Sequence, residues 1–334
     1  EYSYNDIQNN TVNLMYSDHH AIAFDISGSR GSKVIGNSIS NCYNSPGDND
    51  IQPSAFHIRG TGSGEILEFS DNTFDHCGGK LGSVLAIERI DFELKIKKTV
   101  FKNCRNEHQV NDKGIYQKGY LIVIDQTESM INSKINFIDC TFMNLESNAQ
   151  GGGGIGLLFR NPPNDNDDSK YVMEIVFQST DFINLYNFND KYGGGAISIT
   201  NEVGENKQTK VSVLDCKFKN VSSKNGNGGA IYFNAFKQSL TVERTDFVDT
   251  YTIKEGSKGG AICVEYTQDD MPVKIIGCTF DGTKSGFGGA IYVNWASLTS
   301  DITIDDCTFK NIYVSNNGDA IYIDNAYKNK VSIT

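Results

Sequence analysis

Proline is scarce in this chain, five among 334 residues, so strand and helix breakers are few. No run of 18 apolar residues occurs, which excludes a membrane-spanning helix of ordinary length and any expected membrane insertion. The eight cysteines include no CxxC pair, so neither zinc-ribbon nor thioredoxin-type chemistry is suggested. Positive charge is in deficit: 30 Lys and Arg against 41 Asp and Glu leave a net charge of −11. Binding to a phosphate backbone needs a basic face, so nucleic acid is not an expected partner. No signal peptide is visible, and the first residue is Glu rather than Met; the expectation is a processed or partial chain.

What is abundant is glycine, at 33 residues, together with Phe and Tyr and short runs of Val, Ile and Thr. These residue types favour strands separated by tight turns. The phrase Gly-Gly-Ala-Ile recurs at 194–197, 228–231, 259–262 and 288–291, with the variant Gly318-Asp319-Ala320-Ile321 after them. Weaker copies read Ala21-Ile22, Ala55-Phe56, Val84-Leu85, Leu121-Ile122 and Gly154-Ile155. The mean period is roughly 33 residues, inside the range of solenoids.

A second phrase, Phe-x-Asn, lies between copies, as Phe101/Asn103, Phe142/Asn144, Phe182/Asn184, Phe218/Asn220 and Phe309/Asn311. Looser versions are Ile7/Asn9, Ile39/Asn41, Phe74/His76, Phe247/Asp249 and Phe280/Gly282. Apolar pairs such as Val211/Val213 and Ile302/Ile304 stand seven and five positions before each Phe. Three segments of period-two patterning per repeat predict an all-β fold, a right-handed parallel β-helix of about ten coils with three short strands each.

The whole of 1–334 reads as one such domain, with both ends falling inside a repeat. Open strand edges call for capping, so the expectation is a segment of a longer chain or a partner covering the ends. Polar loops around 106–119, 161–170 and 201–210 carry the length variation, and binding in solenoids often sits on such loops.

These paired phrases resemble the GGAI and FxxN repeats of the polymorphic outer-membrane protein family, over essentially the whole chain. The resemblance implies a pectin-lyase-like β-helix acting as an adhesin at the cell surface or outside the cell. On that reading the chain is a structural scaffold or a filament segment rather than an enzyme. Its partners would be other subunits, adjacent segments of the same long chain, or glycans. The alternatives are a polysaccharide lyase or hydrolase and a non-catalytic glycan-binding module.

Candidate sites follow from the repeat register. Cys278 and Cys307 occupy matching places on adjacent coils, as do Cys42, Cys77 and Cys104, within reach of disulfides. The preferred reading is a ladder of buried thiols acting as small apolar groups. Asn at the Phe-x-Asn position is expected to point inward as an amide ladder, in competition with glycosylation sequons at Asn9 and Asn220. Four residues beyond the Ala position, successive coils present Asp25, Arg59, Glu88 and Asp125, with His57 beside Arg59. Glu88 and Asp125 on adjacent coils would stand near the separation of paired glycosidase carboxylates, although a solvated charge row is the simpler reading. Tyr232, Tyr292 and Tyr322 share an outward register that would offer rings to a glycan or partner, or merely fill a strand face. Asp165 and Asp167 lie in an acidic run with the alternation of a calcium loop but without its glycine and distal glutamate. No catalytic set is assigned, no metal site, and no cofactor is implied, since the glycine pairs recur as turns rather than once before a helix.

Overall fold

A computed structural model describes residues 6–17, 24–27, 32–44, 55–59, 67–79, 84–88, 90, 92–106, 121–125, 133–147, 154–158, 171–188, 193–200, 207–234, 238–265, 272–294, 301–324 and 331–334. Within them the strands form three sheets of 11, 14 and 10 members, and every inter-strand ladder is parallel. The chain visits the three faces in turn, and each strand pairs with its counterpart one repeat away. The architecture is a parallel β-helix.

The first face runs from Asp6–Gln8 to Val331–Ile333. Its inward positions are the apolar pairs, such as Val211 and Val213, which pair in register with Leu240 and Val242. The second face carries the phenylalanines. Phe74, Phe101, Phe142, Phe182, Phe218, Phe247, Phe280 and Phe309 form a stack with ring centroids 4.5–5.0 Å apart and planes within 7°. The spacing is that of the strands themselves, so one residue choice repeated per coil builds a continuous core. The third face runs from Phe24–Ser27 to Ile321–Asp324 and carries the GGAI segments.

Two series of sharp turns on faces one and two use left-handed backbone. The first joins faces one and two at Asn9, Gly36, Asp71, Lys98, Asp139, Ser179, Asp215, Arg244, Gly277 and Asp306. The second bends face two at Asn41, His76, Asn103, Asn144, Asn184, Asn220, Asp249, Gly282 and Asn311, all at φ between 50 and 69°. Asn, Asp and Gly tolerate this region best, and that is why Asn follows Phe-x.

The expected inward asparagine is therefore corrected. A left-handed residue turns its side chain off the core, and Asn144 is exposed. It is an amide ladder nevertheless: Asn220 Nδ2 donates to Asn184 Oδ1 at 2.9 Å, Asn184 to Asn144 at 2.9 Å, and Asn144 to Asn103 at 3.1 Å. The inward amides belong to another column, two residues before the Phe position. There Asn37 Nδ2 donates to Asn72 Oδ1 at 2.9 Å, with both residues buried.

Two registers also shift. Ile7 pairs with Val34, so Asn9 stands at the first turn and not in a Phe-x-Asn phrase. Phe24 pairs with Phe56, so the first-coil counterpart of Ala55-Phe56 is not Ala21-Ile22, a pair outside the described residues. The loop expected over 201–210 is shorter, because a strand spans Lys207–Leu214. Extending face one backwards by a few residues there gives more ladder hydrogen bonds to Tyr171–Gln178.

Candidate functional site

The outer side of the third face is where the charged and tyrosine rows fall. Register places Arg59, Glu88 and Asp125 on three successive coils, Glu88 opposite both neighbours. Asp25 does not join them: it pairs with His57, and the partner of Arg59 is Ser27. That is the same two-residue offset that displaces Ala21. The side chains of Asp25, Arg59, Glu88 and Asp125 lie outside the described residues, as do Asp165 and Asp167 altogether.

His57 shares its column with Ala86, Val123, Gly156, Ser198, Tyr232, Cys263, Tyr292 and Tyr322. Of the two readings of the tyrosine row, rings offered outward do not fit Tyr232 and Tyr292, which are 5% and 2% exposed, while Tyr322 is half-buried. Ala196, Ala230, Ala261 and Ala290, the alanines before the isoleucines of the four GGAI phrases, are buried as well.

The glycine turns explain this. The first glycine of each GGAI phrase is left-handed, with φ from 59 to 82° at Gly194, Gly228, Gly259, Gly288 and Gly318. A Cβ on Gly259 would stand 2.1 Å from the carbonyl oxygen of Ile262. The turn thus lies directly on the strand it introduces and closes over the outer column, where Tyr232, Cys263 and Tyr292 pack with Phe287 and Tyr322.

A polar network ties this lid down. Glu265 accepts from the Tyr232 hydroxyl at 2.8 Å, from Lys258 Nζ at 2.8 Å and from Asn227 Nδ2 at 3.1 Å. Asn227 Oδ1 accepts from the Lys258 backbone N–H at 3.0 Å, and the Lys258 ammonium sits 4.8 Å from the Tyr292 ring centroid.

Burial pushes the Tyr232 phenol well above its ordinary range, and the Glu265 charge adds to this. Burial works against charge on Lys258, but the hydrogen bond and the charge of Glu265, with Tyr292, together outweigh it and hold the ammonium up. A neutral phenol donating to a carboxylate already paired with an ammonium has no proton to trade near neutral pH. The network fastens two glycine turns to face three; it is not an acid–base pair.

The cysteines stack as the repeat register requires. None of the eight forms a disulfide. Cys42, Cys77 and Cys104 are buried in one column, and the Cys77 thiol is pushed up to about 12, first by its hydrogen bond with Cys104. Burial raises Cys140 to about 11 and Cys216 to about 12. Cys278 and Cys307 hydrogen-bond to each other, which raises the buried Cys278 and lowers the half-buried Cys307.

Asn220, one of the two sequon asparagines, points outward, but its amide also meets the Tyr186 hydroxyl at 2.5 Å. Among the described residues no group of three His, Cys, Asp or Glu is placed to hold a metal ion. No described helix is long and apolar enough to cross a membrane.

Outward aromatics do occur on the second face, where Tyr186 and Tyr251 are half-buried and Tyr313 is exposed. Tyr186 pairs with Ser222, Ser222 with Tyr251, Tyr251 with Lys284 and Lys284 with Tyr313. Phe188 and Ile253 lie alongside, 39% and 57% exposed. The signal was present in the repeat alignment, four residues after each Phe.

No family model, no curated protein and no solved structure matches this chain.

Proposed function

We propose that the chain is a surface or extracellular scaffold of adhesin type, whose partners are neighbouring segments, other subunits or glycans. The observation that carries this reading is the stacking itself. Three parallel ladders repeat from coil to coil, and the Glu265 network on the third face is spent on holding the glycine turns. Such a body presents fixed columns of side chains at strand spacing and supplies little local motion for closing around a substrate. Antibodies raised against the chain should label intact cells of its source. Labelling only after permeabilisation would overturn the reading.

One observation favours a second reading, a polysaccharide-active enzyme: Glu88 and Asp125 are register partners on adjacent coils. Two carboxylates so placed have the separation of a retaining pair only if their side chains converge. Prolonged incubation with long polysaccharides is expected to leave chain length unchanged. Cleavage that disappears in Glu88→Gln would establish the enzyme instead.

A further inference from the structure

We propose that the strip Tyr186–Tyr251–Tyr313 binds an extended, uncharged β-1,4-linked polysaccharide along the solenoid axis. The proposal deepens the scaffold reading and rests on it, by naming what the scaffold holds. Consecutive register pairs fix the tyrosines on alternate coils, with Ser222 and Lys284 between them. Alternate coils are roughly 9.6 Å apart at strand spacing. In a β-1,4-linked chain successive sugars are flipped, so the same face returns at every second unit, a repeat close to two coils. A column with an aromatic on every coil, or on every third, would not match it.

The ring orientation suits this ligand. The Tyr186 hydroxyl meets the Asn220 amide on the next coil, so the ring lies along the axis instead of standing off the face. Ser222, the residue between Tyr186 and Tyr251, is small and only 3% exposed, which leaves the strip level. Exposed Phe188 and Ile253 widen the apolar track on one side.

On the other side runs the amide ladder Asn144–Asn184–Asn220. Asn144 and Asn184 each spend one N–H and one oxygen lone pair within the ladder and keep a second of each. Asn220 spends both N–H groups, on Asn184 and on the Tyr186 hydroxyl, and keeps its oxygen. Beside Tyr186 the flank is this amide ladder. Beside Tyr251 and Tyr313 the same column holds Asp249 and Asn311, the latter fixed by its hydrogen bond to Asp281. Ring faces with fixed polar groups along one edge are the combination a neutral glycan requires, apolar on its faces and polar on its edges. Charge does not select an anionic chain: the Lys284 ammonium sits 5.0 Å from the Tyr313 ring centroid, but Lys217 faces Asp246 and Lys310 faces Asp281 across the same ladders.

The test is affinity electrophoresis of the whole chain through hydroxyethyl cellulose, galactomannan, amylose and polygalacturonate. Retardation by the first two is expected, with none by amylose or polygalacturonate. Tyr251→Ala should weaken binding about tenfold, the loss of a central aromatic anchor, while Tyr251→Phe keeps it. Ile253→Glu, at an exposed position that leaves the fold alone, should weaken binding several-fold.

No retardation by any β-1,4 polymer, retardation by polygalacturonate alone, or unchanged binding in both Tyr251→Ala and Ile253→Glu would overturn the proposal. Cell-surface labelling that persists in such a case would leave the scaffold reading standing, so the two fail separately.

Discussion

At the scale of single residues, backbone handedness explains choices that hydrophobicity does not. Asn144 stands at φ 54°, where a residue with a Cβ pays about 1–2 kcal/mol unless it is Asn or Asp. Asn144→Ala should therefore lower stability by about that much and Asn144→Gly by less, measured by urea unfolding. Gly256 and Gly259 separate conformation from space. Both are left-handed, but nothing lies within 4 Å of a Cβ at Gly256, whereas one at Gly259 meets the Ile262 carbonyl. Gly256→Ala is expected to cost about 1–2 kcal/mol, and Gly259→Ala more than about 3 kcal/mol, since strain and overpacking add. Equal losses would contradict the close approach of turn and strand.

The thiols give a pH dependence with a definite sign. Cys140 has an ordinary value of 9.0 and stands at about 11 in the folded chain. A thiol kept neutral by folding contributes stability that is fully present below pH 9. That contribution is lost as pH rises from there through about 11, because the unfolded chain ionises first. Stability measured across this window should fall, and Cys140→Ala should flatten the fall. Cys307, half-buried and lowered by Cys278, should be the first thiol alkylated by iodoacetamide near pH 8 in the folded protein, as read by peptide mass spectrometry.

At the scale of strands and turns, the column is the unit of stability. Phe182 lies between Phe142 and Phe218, 5.0 and 4.5 Å from their ring centroids, and is fully buried. Phe182→Ala removes ring contacts on two coils at once and should cost about 3–5 kcal/mol, seen as a lower denaturant midpoint.

This scale is also where sequence reading and structure part company. The Phe and Val/Ile columns were legible because apolar alternation marks a buried face directly. The side of the Asn column was not, because periodicity carries no information on φ; the substitution of His76, Asp249 and Gly282 at the same position was the available clue. The tyrosines of face three do take the outward register, but alternation alone assumes that the outer face of a strand is open. There the glycine turns cover it. Two residues of register at Ala21 then sufficed to put Asp25 in the wrong row.

For the whole molecule, the fold was readable because each coil repeats the same grammar, while the candidate surface was not, because function on a solenoid lies in columns visible only after coils are aligned. Tyr186, Ser222, Tyr251, Lys284 and Tyr313 differ in type and share only their place four residues after the Phe of each coil. They become neighbours only through register.

Everything above depends on that register, and disulfide trapping tests it most directly. Ser212 and Thr241 are partners on adjacent coils of face one, and Lys274 is the partner of Thr241 one coil further. Ser212→Cys with Thr241→Cys brings two Cα atoms to about 4.8 Å, within disulfide reach, whereas Ser212→Cys with Lys274→Cys leaves roughly 9.6 Å. Mild oxidation should cross-link the first pair and not the second. Cross-linking of the second pair in preference to the first would contradict the parallel, in-register β-helix.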